Sequence, residues 1–122
     1  MDKQQAYYKL WSSFNIPAYD ENTVPDDATF PRIDYQVMLD DLDAPIFPAA
    51  KLWYRGSSWT NPDMKLAEIA AYIEDMSPIP LDGGGYMNVT KGTPFAQRMT
   101  NENDQTIKGY LINLGIEFFT KN

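Results

Sequence analysis

The sequence contains neither cysteine nor histidine among its 122 residues. The lack of cysteine excludes disulfides, thiolate chemistry and Cys-ligated zinc, and it is typical of proteins from a reducing compartment. The lack of histidine removes the commonest general base and transition-metal ligand, so no Ser-His-Asp or Cys-His arrangement can form. We therefore predict that the chain is not an enzyme and that it uses no metal or cofactor.

Long apolar runs are also missing. No stretch approaches the roughly 20 apolar residues that a membrane span requires. The N-terminal residues 1–5 are polar and lack the apolar core of a secretory signal. These patterns predict a soluble chain made in the cytoplasm, with no membrane partner.

Positive charge is scarce in the first part of the chain. The formal net charge is −7, and residues 1–46 hold nine acidic residues against Lys3, Lys9 and Arg32, whereas residues 47–122 are close to neutral. An acidic chain repels phosphate backbones, so sequence-specific nucleic-acid binding is disfavoured. A solvated, solubilising surface is the simplest explanation of the acidity.

What is present suffices for one packed domain over residues 1–122. Hydrophobic residues make up 43% of the chain and aromatic residues 14%, which is enough for a single core. Tyr7, Leu10, Trp11 and Phe14 recur at helical spacing and predict a first helix over 3–14. A second helix is predicted over 61–76, with Asn61 as its N-cap.

Alternating apolar and polar residues predict four strands, over 32–40, 47–57, 86–90 and 106–119. The order is therefore α-β-β-α-β-β. It predicts an α+β fold with a single antiparallel four-stranded sheet and two helices packed on one face. Two long polar segments, 17–31 and 93–105, are predicted to be loops, and loops of this length are often functional.

One face of the predicted sheet is left with many apolar side chains. The residues assigned to it are Met38, Trp53, Met87, Leu111 and Phe119. A solvated face rarely carries such a load, so this pattern indicates a protein partner.

Three patterns suggest a phosphate-binding loop, a calcium loop and a catalytic carboxylate pair, but none of them meets the requirements of its site. Asp82-Gly83-Gly84-Gly85 leads into a strand rather than a helix, so a turn is favoured over a phosphate-binding loop. A calcium loop starting at Asp41 would need glycine and an acid where Ile46 and Leu52 stand. The 17 acidic residues allow chance carboxylate pairs, but no spacing identifies a catalytic one.

Candidate interface residues fall in two groups. Aromatic residues and arginine are enriched in protein interfaces, which singles out Trp53, Arg55 and Trp59, although core packing would explain part of that cluster. The second group lies in the segment 93–105 or just before it and comprises Lys91, Pro94, Phe95, Gln97 and Arg98. These residues fit either an interface arm or a solvated loop.

Five stretches in order resemble the tail terminator (tail completion) proteins of long-tailed phages and prophages of Gram-positive bacteria. They are IPAYDENTVP at 16–25, FPRIDY at 30–35, LWYRGSSW at 52–59, DGGG at 82–85 and KGTPFAQRM at 91–99. The similarity spans nearly the whole chain. No single stretch is a catalytic motif, so the resemblance rests on their combination.

The resemblance implies a virion protein of the tail and neck, assembled in the cytoplasm of the bacterial host. Such a protein forms a ring, expected to be a homo-hexamer, on the head-proximal end of the tail tube. It stops tube polymerisation and offers a surface for head–tail joining. The implied partners are further copies of itself, the major tail tube protein and the head-tail connector or head-closure protein. Phage DNA would only pass through the lumen, where six copies at −7 each would discourage binding.

Other functions compete with this interpretation. A head-closure or head-tail adaptor protein of the phage neck is the main alternative, and it would bind the portal or connector instead of capping tubes. A small hydrolase or nucleotide-binding module would require a specific carboxylate pair. A regulatory module of the toxin–antitoxin type would form a stable dimer.

Overall fold

The computed structural model describes residues 1–38 and 44–120. Within them lie two α-helices, α1 (Lys3–Trp11) and α2 (Thr60–Asp75), and six strands. The strands are β1 (Ala18–Asp20), β2 (Arg32–Tyr35), β3 (Ala49–Arg55), β4 (Ile79–Pro80), β5 (Tyr86–Thr100) and β6 (Ile107–Phe119). Short 3-10 helices cover Ser12–Phe14 and Asp82–Gly84.

Helix α1 begins with a reciprocal cap. Asp2 Oδ1 accepts a hydrogen bond from the Gln5 N–H at 2.8 Å, and Gln5 Oε1 accepts one from the Asp2 N–H at 2.9 Å. This capping box satisfies two amides near the helix start. The predicted apolar stripe of Tyr7, Leu10, Trp11 and Phe14 is buried, with Phe14 in the 3-10 turn that follows the helix.

The six strands form one mixed sheet in the order β1-β2-β3-β6-β5-β4. Strand β1 runs parallel to β2, and each of the other neighbouring pairs is antiparallel. The sheet curls into a half-barrel. Side chains from the strands and from both helices join a single core, which includes Trp11, Leu52, Ile69 and Ile112.

Strands β5 and β6 form the long hairpin of the structure. Tyr86 pairs with Phe119 at one end and Thr100 with Lys108 at the other. Lys91 pairs with Leu114 and Ala96 with Ile112, so the four residues 92–95 lie opposite Asn113 alone. This bulge bends β5 without ending it.

Burial alternates along β6 and defines two faces of the sheet. Tyr110, Ile112, Leu114, Ile116 and Phe118 point into the core, as the period-two pattern predicts. Residues between them, such as Leu111 and Glu117, lie on the opposite face, which we call the outer face.

The predicted sheet is wrong in several respects. The sheet has six strands instead of four, and it is mixed instead of antiparallel and curls into a half-barrel. The predicted α-β-β-α-β-β order with two helices on one face therefore does not describe it. Segment 17–31 is not wholly a loop, because β1 lies within it and pairs with β2. Segment 93–105 is mostly strand, because β5 continues through the bulge to Thr100.

Smaller corrections concern individual residues. Asn61 is not the N-cap of α2, because the helix begins at Thr60, whose N–H donates to Ser58 Oγ at 3.0 Å. Met87 was assigned to the apolar outer face, but it is fully buried in the core. The predicted strand over 32–40 ends at Tyr35 within the described residues, and the calcium-loop candidate at Asp41 begins outside them.

Candidate functional site

Two of the predicted interface residues, Trp59 and Arg98, lie in direct contact. The guanidinium carbon of Arg98 is 4.2 Å from the centroid of the Trp59 ring, a distance suited to a cation–π interaction. Arg98 is on β5 beyond the bulge, and Trp59 immediately precedes α2. The contact therefore joins the far end of the hairpin to the start of the second helix.

Tyr110 and Asp63 complete this group, which we call the Arg98 cluster. Arg98 Nε donates to Tyr110 Oη at 3.0 Å, and Arg98 Nη2 donates to Asp63 Oδ2 at 3.2 Å. Tyr110 Oη in turn donates a short hydrogen bond to Asp63 Oδ1. The Trp59 and Tyr110 rings meet edge to face with centroids 5.6 Å apart.

Asp63 suits its place in the first turn of α2, where the helix dipole favours a carboxylate. Burial, followed by the hydrogen bond to Asp63, raises the pKa of Tyr110 above its ordinary value. The hydrogen bond to Tyr110 is likewise the main cause that raises the pKa of Arg98. Because both pKa values are raised, Tyr110 and Arg98 stay protonated at neutral pH and the hydrogen bonds of the cluster are kept.

The Arg98 cluster is only partly covered. The side chains of Arg98 and Asp63 are 54% and 46% exposed, respectively. Such a half-exposed cluster can hold the hairpin on α2 and still offer polar groups to another molecule.

Trp53 and Arg55 lie on the other side of the sheet. They alternate along β3 with Leu52, which is fully buried, and with Tyr54, which packs against the core. Trp53 stands opposite Gly109 of β6, where a Cβ atom would come within 2.8 Å of the Trp53 ring. The glycine thus leaves room for the indole to lie across the outer face.

Arg55 belongs to a second group, in which two arginines flank one ring. The guanidinium carbons of Arg32 and Arg55 lie 4.7 and 4.8 Å from the centroid of Phe30. Arg55 also forms an ion pair with Asp104 at 3.7 Å, and hydrogen bonds from Thr106 are the main cause that lowers the pKa of Asp104. This Phe30 group ties segment 17–31 to the end of β3 and to the hairpin turn.

Asp34 binds Arg32 of the Phe30 group. Arg32 Nε lies 3.0 Å from Asp34 Oδ1 and 3.2 Å from Oδ2, and Asp34 is only 7% exposed. A largely buried carboxylate needs such a partner. Arg32 therefore binds both the Phe30 ring and a buried charge.

The remaining predicted residues lie along β5. Lys91 forms an ion pair with Glu74 of α2, and its Nζ is 5.4 Å from the centroid of the Phe95 ring. Phe95 packs partly against the core. The Pro94 carbonyl accepts a hydrogen bond from Asn113 Nδ2 at 3.2 Å, and Gln97 is exposed opposite Leu111.

The structure thus divides the predicted interface into three places: the Arg98 cluster beside α2, the Phe30 group with Trp53 on the outer face, and the bulge of β5. Sequence analysis missed Asp63, Tyr110, Phe30 and Asp104. The position of Asp63 in the first turn of a predicted helix was visible, but its partner Tyr110 lies 47 residues away. No local pattern reveals such a pair.

Other kinds of site find no support in the part of the chain that the structure describes. Residues 1–38 and 44–120 contain no group of three or more carboxylate side chains placed to hold a metal ion. No helix in those ranges is long and apolar enough to cross a membrane. Comparison with protein-family models, curated proteins and solved structures found no match to this chain.

Proposed function

We propose that this chain is a structural protein of a phage tail. In this role it forms a ring on the head-proximal end of the tail tube, stops tube polymerisation and presents a surface for head–tail joining. The partners are further copies of the chain, the major tail tube protein and a head-tail connector or head-closure protein. The proposal assigns it no catalytic role.

One observation carries the proposal: stretches that resemble tail terminators, though distant in sequence, contact one another in the fold. Phe30, from the stretch 30–35, packs against Arg55 of the stretch 52–59. Trp59, at the end of that stretch, packs against Arg98 of the stretch 91–99. If the three stretches resembled tail terminators by coincidence, they would not be expected to contact one another. Here they form neighbouring parts of the molecular surface.

The composition of these groups also favours a protein partner over a small molecule. They combine aromatic rings with Arg55 and Arg98, whose side chains are about half exposed, and such residues are typical of interface hot spots. The acidic charge of the chain is compatible with a ring through which DNA passes without binding.

The purified chain tests the proposal directly. Light scattering and negative-stain electron microscopy, with and without tail tubes, should show six-fold rings that occupy one end of each tube. Binding to a portal or connector without tube capping would instead assign the chain to the neck as an adaptor. A stable dimer that ignores tubes would contradict both functions and favour a regulatory module.

A further inference from the structure

Strand β5 leaves an open edge beyond its bulge. Its neighbours in the sheet are β6 on one side and β4 on the other, and β4 pairs only with Tyr86 and Met87. From Asn88 to Thr100, therefore, no strand among the described residues lies along the outer side of β5. Open edges of this length recruit further strands unless a protein obstructs them.

The register shows which backbone groups point out of this edge. Ile116 of β6 exchanges two hydrogen bonds of 2.9 Å with Ile46, on the side away from β5. Backbone groups alternate in direction along a strand, so the odd-numbered residues Gly109 and Leu111 bond to β5. Their partners there are Met99 and Gln97.

The residues that alternate with Gln97 and Met99 consequently face outward. Ala96, Arg98 and Thr100 direct their N–H and C=O groups away from β6, toward the open edge. The five residues 96–100 span about 17 Å of strand. The bulge blocks pairing on the N-terminal side of this segment, so the segment itself is the available part of the edge.

The opposite end of the sheet is open as well. Strand β1 is its last strand, and it bonds to β2 through the Pro17 carbonyl and the Glu21 N–H, both at 2.9 Å. By the same alternation, the backbone of Ala18 and the N–H of Asp20 face outward. Within residues 1–38 and 44–120, the sheet therefore has two unpaired edges, one on β5 and one on β1.

The two edges carry opposite charge. The β5 edge at residues 96–100 contains Arg98 and no acid, whereas residues 17–21 contain Asp20 and Glu21 and no base. Pairing β5 with the β5 of a second copy would bring like charges together, which is unfavourable. Pairing β5 with β1 of a second copy brings opposite charges together and uses different surfaces of the two molecules.

We infer that the β5 edge at residues 96–100 binds the β1 edge at residues 17–21 of a second copy, so that the sheet continues from one copy to the next. Such a head-to-tail contact is heterologous and closes into a ring when the rotation between copies allows it. The choice of a second copy as partner rests on the proposed function. The Arg98 cluster holds the edge in place and leaves about half of the Arg98 side chain exposed beside it.

Cross-linking tests this contact, because the chain has no cysteine of its own. Full-length Thr100→Cys and Asn22→Cys proteins, both changed at exposed positions, are mixed and treated with a short bis-maleimide. The mixed product should exceed each homodimer severalfold. In the matched control, Gln4→Cys at an exposed position on α1 replaces Asn22→Cys, and no such excess should form.

Each alternative result contradicts the inference. A dominant Thr100→Cys homodimer would show that two β5 edges pair with each other. Equal products in the test and control mixtures would show that the β5 edge does not bind the β1 edge of a second copy in preference to other surfaces. Neither result decides the proposed function, since tube capping is measured separately and rings can form through other surfaces.

Charge substitution provides an independent check at the same edge. Thr100→Glu should weaken self-association about fivefold, the effect of one unfavourable surface charge pair, while Thr100→Lys should not weaken it. Reversing the acidic side with Glu21→Lys, at an exposed position of the β1 edge, should restore association in the Thr100→Glu protein. Equal effects of Thr100→Glu and Thr100→Lys would overturn the assignment of the acidic segment as partner.

Discussion

The guanidinium of Arg98 lies over the ring of Trp59 with 4.2 Å between its central carbon and the ring centroid. This contact joins two residues that the sequence places in separate candidate groups, and it fixes the hairpin against the start of α2. Arg98 also lies within the open edge of β5 at residues 96–100. The contact with Trp59 therefore helps to fix the position of that edge.

The Arg98–Trp59 contact should be measurable as a coupling free energy. In a double-mutant cycle with Arg98→Ala and Trp59→Leu, we expect a coupling of about 0.5–1 kcal/mol, as for other exposed cation–π pairs. Urea unfolding of the four proteins gives the value. Lys91→Ala is the control, because Lys91 is a cation on the same strand that packs on Phe95 instead, and its coupling to Trp59 should be near zero.

Removing one partner of the buried Arg32–Asp34 pair should lower the free energy of unfolding more than replacing both partners. Asp34→Ala leaves a largely buried guanidinium without its carboxylate, so the free energy of unfolding should fall by about 3 kcal/mol. The double variant Arg32→Met with Asp34→Leu should lose less, because no unpaired charge remains. Equal losses in both variants, measured by urea unfolding, would show that the pair contributes through packing alone.

Two glycines on β6 should differ sharply in their tolerance of alanine. A Cβ at Gly109 would lie 2.1 Å from the Leu52 carbonyl oxygen, so the paired backbone of β3 must move. At Gly115 the nearest atom is the Thr90 hydroxyl at 2.8 Å, and rotation of that side chain would relieve the contact at the cost of its 3.3 Å hydrogen bond to the Gly115 carbonyl. We expect Gly109→Ala to cost at least about 2 kcal/mol more than Gly115→Ala in thermal or urea unfolding.

The pH dependence of stability should appear mainly at alkaline pH. Burial raises the pKa values of Tyr7 and Tyr35, and Tyr7 also donates a hydrogen bond to the Gln36 carbonyl at 2.6 Å. A raised folded-state pKa means that the contribution is complete below the unfolded value near pH 10 and is lost as the pH rises above it. The free energy of unfolding should therefore fall progressively as the pH rises above about 10.

Tyr7→Phe provides the comparison for this prediction. The variant should be less stable at pH 8, because the hydrogen bond is gone, but its stability should fall less steeply above about pH 10. A parallel decline in both proteins would show that Tyr7 does not contribute to the alkaline transition.

The sequence predicted those elements whose side chains follow a regular period. The stripe of Tyr7, Leu10, Trp11 and Phe14 marked the first helix, and the alternation along 110–118 marked β6. Both signals arise because one side of the element is buried, and burial requires a repeating apolar pattern.

The missed features lack such a period. Strand β1 has three residues, none of them buried, and it is held by backbone hydrogen bonds to β2, which any sequence can form. Gly92 and Pro94 interrupt the pattern of β5, and a bulge absorbs them. The Arg98 cluster depends on residues as far apart as Asp63 and Tyr110, and only the folded hairpin brings them together.

The action of the purified chain on growing tail tubes tests the proposed function most directly. Polymerising major tail tube protein is mixed with the chain, and tube length and tube ends are recorded by negative-stain electron microscopy. The proposal predicts that elongation stops and that a ring of six copies occupies one end of each tube. Tubes that continue to grow at an unchanged rate, with no added density at either end, would contradict it.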